Sequence, residues 1–310
     1  MAPESSLLEG STVPVLVALA FVGAAAYIFM RDQSGDLRAM LSAAPSPVNS
    51  LKLARAIARM YGSELAQCID FKLTPPRLRL HEGQAEACAS KLRKLARFGP
   101  SDSELEHSLS RVLGEMVSLS ALTAEADGLR RTTVSATNAT HEAALEALWD
   151  ALQPGRARDG GRISKSWGDI GFQGSDPTTD FRGMGFFALL SLLHTARAHP
   201  AFCARHVRTY MTPGNELTYF PFAITSINVT GWLLDMLGAG ELDLVILTTG
   251  ARLETLHEVH FALFVHFARA WERERPKSVM EFGRVQKAVL AEVKRVGIER
   301  LLDAAAACGE

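Results

Sequence analysis

The sequence predicts an all-α fold: one N-terminal membrane-spanning helix, then a multi-helix globular region. Three observations predict it. Apolar residues recur at spacings of three and four over most of the chain after residue 50, the period of helices that each bury one face. From Gly10 to Met30 there is no charged residue, and a helix needs about 20 residues to cross a hydrocarbon core. Leu242 to Thr248 (LDLVILT) reads as a possible short strand, but one isolated strand makes no sheet. With 47% apolar and 22% charged residues, the 310-residue chain has the makings of a real core.

The apolar run is preceded by Glu4 and Glu9 and by no basic residue, whereas a secretory signal carries a basic leader. Ala24-Ala25-Ala26 offers small residues for cleavage, so a signal peptide is the rival reading. Arg31, Arg38, Lys52, Arg55 and Arg59 all follow the run, which places the bulk of the chain in the cytosol by the positive-inside rule. Residues 1–31 are thus expected to be a short lumenal tail and an uncleaved anchor, with the membrane inserted through residues 10–30. The endoplasmic reticulum is the favoured membrane and the mitochondrial outer membrane the alternative.

Residues 32–50 contain Pro45-Ser46-Pro47 and read as a linker. Residues 51–130 read as an N-terminal helical region. Leu51, Ala54, Ile57 and Ala58 share a face there, and Thr74-Pro75-Pro76 breaks a helix. Lys91, Arg93, Lys94 and Arg97 decorate the next helix, either as a solvated face or near anionic headgroups. Ser101-x-x-Glu104 has the form of a capping box ahead of Leu105, Leu109, Val112 and Met116. The polar stretch from Arg130-Arg131 to Thr140 reads as a loop. Residues 131–310 then form the larger domain: Leu145, Leu148, Trp149 and Leu152 repeat the helical pattern. Phe186–Leu193, Phe222–Leu237, Leu256–Trp271 and Val279–Val296 supply further apolar stripes.

Several function classes fall away. A net charge of −1 gives no footprint for nucleic acid. Cys68, Cys88, Cys203 and Cys308 form no CxxC pair and read as reduced thiols. Neither a phosphate-binding G-x-x-x-x-G-K-[ST] nor a G-x-S-x-G nucleophile motif is present. His257-Glu258-Val259-His260 is one residue short of HExxH, which misplaces the general base, and His266 does not rescue it; no metal set is expected. Asn138-Ala139-Thr140 and Asn228-Val229-Thr230 are glycosylation sequons that the expected topology leaves in the cytosol, unmodified.

The most informative stretch is residues 167–192. Trp167, Gly171, Phe172, Gln173, Pro177, Thr179, Asp180, Phe181, Arg182, Gly183, Gly185, Leu189 and Leu192 stand there at fixed spacing. A stiff polar loop feeds an apolar helix, with Thr179 or Asp180 as the expected N-cap and Arg182 in the first turn. Gly183 and Gly185 each cost a helix about 1 kcal/mol relative to alanine. They are expected to permit close backbone approach, by a neighbouring helix or by a partner protein.

This spacing resembles the signature of the ELMO domain, W-x3-G-[FY]-Q-x3-P-x-T-D-[FL]-R-G-x-G-x3-L-x2-L, and meets every fixed position without insertion. Phe220-Pro221-Phe222-Ala223-Ile224-Thr225-Ser226-Ile227-Asn228-Val229-Thr230 is similar to the family's second apolar helix. The run from Phe261 through Trp271 to Met280-x-Phe282-x-x-Val285 is similar to its end. The resemblance covers roughly residues 140–300. It implies a GTPase-activating protein for an Arf-family or Arf-like small GTPase in its GTP form, with Arg182 as an arginine finger supplied in trans. The GTPase would bring the magnesium, the nucleotide and the water-positioning glutamine. No cofactor and no intrinsic catalysis are therefore expected of this chain.

Other roles stay open around that arginine. It can instead pair with Asp180 or Asp176 and hold the loop shut. Gln173 can orient water or bond to backbone; Asp180 can cap a helix or orient the arginine. Trp167 and Phe172 are core anchors or GTPase contacts. Trp167, Gly171, Phe172, Gln173, Pro177, Thr179, Asp180, Gly183 and Gly185 are accordingly expected to bind the GTPase or to position the loop. The alternative function is a non-catalytic ELMO-domain adaptor in a small-GTPase regulatory complex. Against it, the chain shows no pleckstrin-like β segment or proline-rich tail and keeps the arginine.

Overall fold

The computed structural model describes residues 37–42, 46–66, 80–211 and 219–306. The apolar run 10–30, Thr74-Pro75-Pro76, Cys68 and Cys308 lie outside the described residues. Among the described residues every regular element is helical. A helical stretch over residues 37–42 (α1) is followed by α2 (Pro47–Ala66), α3 (Glu82–Leu95), α4 (Ser103–Arg131), α5 (Ala139–Leu152) and α6 (Gly185–Ala198). Then come α7 (Pro200–Tyr210), α8 (Phe222–Ala239), α9 (Asp243–Thr249), α10 (Leu253–Glu274), α11 (Phe282–Val296) and α12 (Ile298–Ala306). Single 3-10 turns lie at Lys165–Ile170, Pro177–Thr179 and Val279–Glu281.

The chain forms two compact units, one ending at Val117 and one starting at Ser118. In the first, Pro47 opens a helix inside the stretch read as a linker. Ser46 Oγ accepts the Asn49 N–H (3.2 Å), and proline at the first helical position loses no helical bond. Helix α4 starts one residue later than the Ser101 capping box implies, because its first bond runs from Glu106 N to Asp102 O (3.0 Å). The Asp102 carboxylate accepts from Gly99 N (2.7 Å) and takes the Arg38 guanidinium through both oxygens (2.8 and 2.7 Å). Those charge-assisted bonds, Arg38's first, hold Asp102 down at about 2. Arg93 pairs with Glu86 and Glu106, both at 2.7 Å, so the basic stretch 91–97 is partly neutralised within its own unit.

The second unit is built around α10. Nearly every position from Thr255 to Trp271 is buried, as befits a helix surrounded by others. It packs against α6, α8, α9, α11 and α12. Phe220, Phe222, Phe264, Phe267, Trp271 and Phe282 form a continuous aromatic cluster, with Phe222–Phe264 and Phe267–Phe282 centroids both 4.9 Å apart. Helix α8 is long and apolar enough to cross a membrane, but most of it is buried among α6, α7 and α10, as a core helix should be. The segment 242–248 is not a strand. It lies almost wholly in α9, which buries Val245 and Ile246 and ends at Gly250. An apolar run this short has no period to tell helix from strand, and no partner strand exists among the described residues to pair with it. Cys88 and Cys203 are both buried, and burial pushes the Cys203 thiol up to about 12.

Candidate functional site: the loop around Arg182

Between α5 and α6 the chain makes 3-10 turns and loop, and a buried aromatic stack holds that irregular backbone in place. Trp167 is fully buried and meets Trp149 of α5 edge to face (5.5 Å). Phe172 meets Trp167 in the same way at 5.5 Å, and Phe181 meets Phe172 at 5.6 Å. The two indole N–H groups donate to Arg156 O (2.6 Å) and Arg162 O (2.7 Å), so neither is left unsatisfied. The Arg158 guanidinium lies over both indoles, 4.4 Å from Trp167 and 5.4 Å from Trp149, and pairs with Glu146. Trp167 and Phe172 are therefore core anchors that position the loop.

Two signature glycines are required by close approach. Gly171 has φ +90, and a Cβ there would lie 2.3 Å from Phe222 N at the start of α8. Its carbonyl accepts the Ile224 N–H (3.2 Å), fixing the loop to α8. Gly185 has φ +55, and a Cβ would lie 2.0 Å from Arg130 O at the end of α4. The next residue, Phe186, donates to Thr132 O (2.8 Å). Gly183 differs: its φ is ordinary and nothing lies within 4 Å of its Cβ position. Its freedom serves no contact inside the described residues.

The expected cap was misplaced. Helix α6 starts only at Gly185, so Arg182 sits in the turn ahead of it, and neither Thr179 nor Asp180 caps that helix. Asp176 caps instead, on the 3-10 turn opened by the buried Pro177. It accepts from Thr178 N (3.1 Å) and Oγ1 (2.8 Å) and from Arg162 Nη1 (2.8 Å). Partial burial works upward on this carboxyl, but the Thr178 and Arg162 contacts outweigh it and hold it below its usual value. Asp180 accepts the Gln173 N–H at 2.9 Å. Desolvation raises its carboxyl, opposed by that bond and by the charge of Arg182.

Arg182 itself is exposed, and its Nε donates to Thr179 O (2.7 Å). Its terminal nitrogens form no hydrogen bond or ion pair with the described residues: Asp176 pairs with Arg162, and Asp180 accepts from Gln173 N and acts on Arg182 only through its charge. A guanidinium fixed at its stem with the fork left free is a cation held in readiness for a phosphate or carboxylate. Gln173, Thr179 and Gly183 are exposed beside it, while Phe172, Pro177 and Phe181 are buried beneath. No residue from 171 to 185 lines the 420 Å³ cleft between Gln153, Arg156, Asp169 and α7. Met184 lines a second cleft against α4 and α8, but Arg182 lines neither and faces outward.

The sequence profile of the ELMO/CED-12 family matches residues 124–286, more than half of the chain and all of the 167–192 motif. The chain belongs to the ELMO/CED-12 family. ELMO domain-containing protein B of Dictyostelium discoideum is 38% identical over 150 residues, 48% of this chain and 51% of its own length. ELMO domain-containing protein 1 of Bos taurus is 30% identical over 234 residues, 70% of this chain and 72% of its own. Human ELMO domain-containing protein 2 is 33% identical over 161 residues, 51% of this chain and 54% of its own. The chain thus spans about half of the Dictyostelium protein it matches. No solved structure matches it.

Within this ELMO-family site, three arginines escaped sequence reasoning: Arg156, Arg158 and Arg162. Arg156 pairs with Asp169 (2.6 Å), Arg158 braces the indole pair, and Arg162 holds Asp176. Their one signal is the basic, glycine-rich run 155–162 (GRARDGGR), which resembles any solvated loop until the two tryptophans are seen beneath it. The histidines of the near-HExxH motif go to separate partners: His257 Nδ1 to Ser191 Oγ (3.0 Å), and His260 to Thr195 Oγ1 (3.3 Å) and Ser226 Oγ (3.1 Å).

Proposed function

We propose that this ELMO-family protein is a GTPase-activating protein for an Arf-family or Arf-like small GTPase, with Arg182 inserted in trans as the finger. The observation that carries the reading is the state of Arg182: exposed, held at Nε by Thr179 O, its fork unpartnered. GTP hydrolysis spreads charge over the phosphate oxygens in the transition state. A planar cation inserted there gives about 10³ to 10⁵ in rate, or roughly 4 to 7 kcal/mol of barrier. Because the stem is already fixed, little side-chain freedom remains to be lost on docking. Gln173, Thr179 and Gly183 would form the contact surface around it. Residues 10–30 would anchor the protein in the endoplasmic reticulum or the mitochondrial outer membrane, with its bulk in the cytosol, where lipid-attached Arf proteins are found.

The test is single-turnover GTP hydrolysis by a panel of purified Arf and Arf-like proteins with the full chain in detergent. Arg182→Ala and Arg182→Lys should each lower stimulation by about 10³ or more, with thermal stability and GTPase binding retained. Full stimulation by Arg182→Ala would remove the finger. Binding without any stimulation by the wild type would leave the adaptor.

A further inference from the structure

The near-HExxH motif directs attention to its own histidines, yet its glutamate turns elsewhere. Glu258 leaves α10 toward two histidines from other elements. His194 lies in the last turns of α6, and His199 stands at the bend where α6 ends and α7 begins. His194 Nε2 is 2.6 Å from Glu258 Oε1, and His199 Nε2 is 3.2 Å from Oε2. One ligand atom from each of the three residues lies within 4.8 Å of the others.

We propose that His194, His199 and Glu258 form a binding site for a divalent transition-metal ion, zinc foremost. Two imidazoles and one carboxylate are a recurring zinc donor set, with the fourth position left to water. Zinc–ligand bonds of about 2.0–2.2 Å place tetrahedral donor atoms roughly 3.3–3.5 Å apart. A bound ion would therefore open the 2.6 Å His194–Glu258 contact and gather three donors that already lie within 4.8 Å of one another. The same nitrogen, Nε2, faces the carboxylate on both rings. Each ring is also packed against an aromatic neighbour. His199 lies flat on Phe261, with centroids 3.4 Å apart and planes within 3°, and His194 rests against His257 at 5.3 Å.

Access and charge agree with this. The two histidine side chains are 23% and 15% exposed and Glu258 is 44% exposed, so the cluster is sheltered on one side and open to solvent on the other. No lysine or arginine pairs with Glu258 among the described residues, although that is a surface glutamate's usual partner. The histidines stand five residues apart on one side and the glutamate comes from α10, so a bound ion would pin the α6–α7 bend to the central helix. Local spacing could not reveal the site, because its donors come from three places in the chain.

The test uses the full chain in detergent, stripped with chelator and titrated with cobalt(II), then with zinc in competition, with metal content read by mass spectrometry. One ion per chain is expected, with the visible bands of tetrahedral cobalt that zinc abolishes. Loss of an outer-shell partner costs metal sites about 10–100-fold in affinity; loss of a direct ligand by Glu258→Gln or His199→Gln should cost at least about a hundredfold. Arg182→Ala should bind the ion as the wild type does, which separates this site from the GTPase reading. No stoichiometric uptake by the wild type at micromolar metal overturns the proposal, as does unchanged affinity in the substituted chains. Should His199→Gln fail to fold, Glu258→Gln and the wild-type cobalt spectrum decide.

Discussion

Arg182 and the glycines around it separate two kinds of constraint that look identical in a motif. Gly185→Ala puts a Cβ into a carbonyl at a positive φ, so it should destabilise the protein by about 3 kcal/mol or prevent folding, as read by chemical denaturation. Gly183→Ala meets nothing and has an ordinary φ, so stability should move by no more than about 0.5 kcal/mol. If the GTPase docks over that surface, the same substitution should still reduce stimulation, a loss of activity without loss of fold. Buried histidines give a second residue-scale outcome. Burial holds His206 and His257 at about 4 and His260 at about 3. An unfolded histidine takes up its proton near 6.5, so between about pH 6.5 and 4 the unfolded chain binds more protons. Stability is then full above about 6.5 and falls with acidification by up to about 1.4 kcal/mol per pH unit for each histidine. Thermal unfolding at pH 7, 6 and 5 checks this, and His257→Gln should flatten the dependence. Asp102 and Glu258, both held near 2, act in a lower window: their contribution persists to about pH 4 and is lost below.

At the scale of elements, the long helices were legible because each carries a stripe that the structure buries: Leu145, Leu148, Trp149 and Leu152 in α5, and almost all of 255–271 in α10. Ends were less legible. Asn138, which the sequence marks as a sequon, is the N-cap of α5, accepting from Thr140 N (2.9 Å) and His141 N (3.3 Å). Asn138→Ala should cost about 1 kcal/mol in urea denaturation, whereas Asn138→Ser should cost much less. Pro45-Ser46-Pro47 looked like punctuation between elements, yet Ser46 and Pro47 start one. Caps and linkers draw on the same residue types, so composition does not separate them. In the loop, the motif names candidate residues but not which way they face. Trp167 and Phe172 point into the core, Arg182 points out, and nothing in a spacing pattern encodes that difference.

At the scale of the molecule, the all-helical fold and the family were both readable, the first from period and the second from one dense motif. The supports of the site were not. Arg130, Thr132 and the start of α8 meet the motif only through tertiary approach of backbones distant in sequence. The proposed membrane topology makes its own prediction. A glycosylation tag added ahead of residue 1 should be modified, while Asn138 and Asn228 stay bare when the full chain is expressed in microsome-containing extracts. Asn138 is exposed at the start of α5, so its silence would report the compartment, whereas Val229 and Thr230 of the second sequon are buried in α8. Modification at Asn138 would place the second unit in the lumen and separate Arg182 from any cytosolic GTPase.

The indole pair beneath the loop has one more consequence. Trp149 and Trp167 touch edge to face with a cation lying over both rings, in a chain that has four tryptophans. Two chromophores at 5.5 Å couple, and an adjacent guanidinium shifts their excited states. The loop therefore carries its own optical reporter. Near-ultraviolet dichroism and intrinsic emission should register any docking that tugs on residues 167–182, without a label and in the wild-type chain.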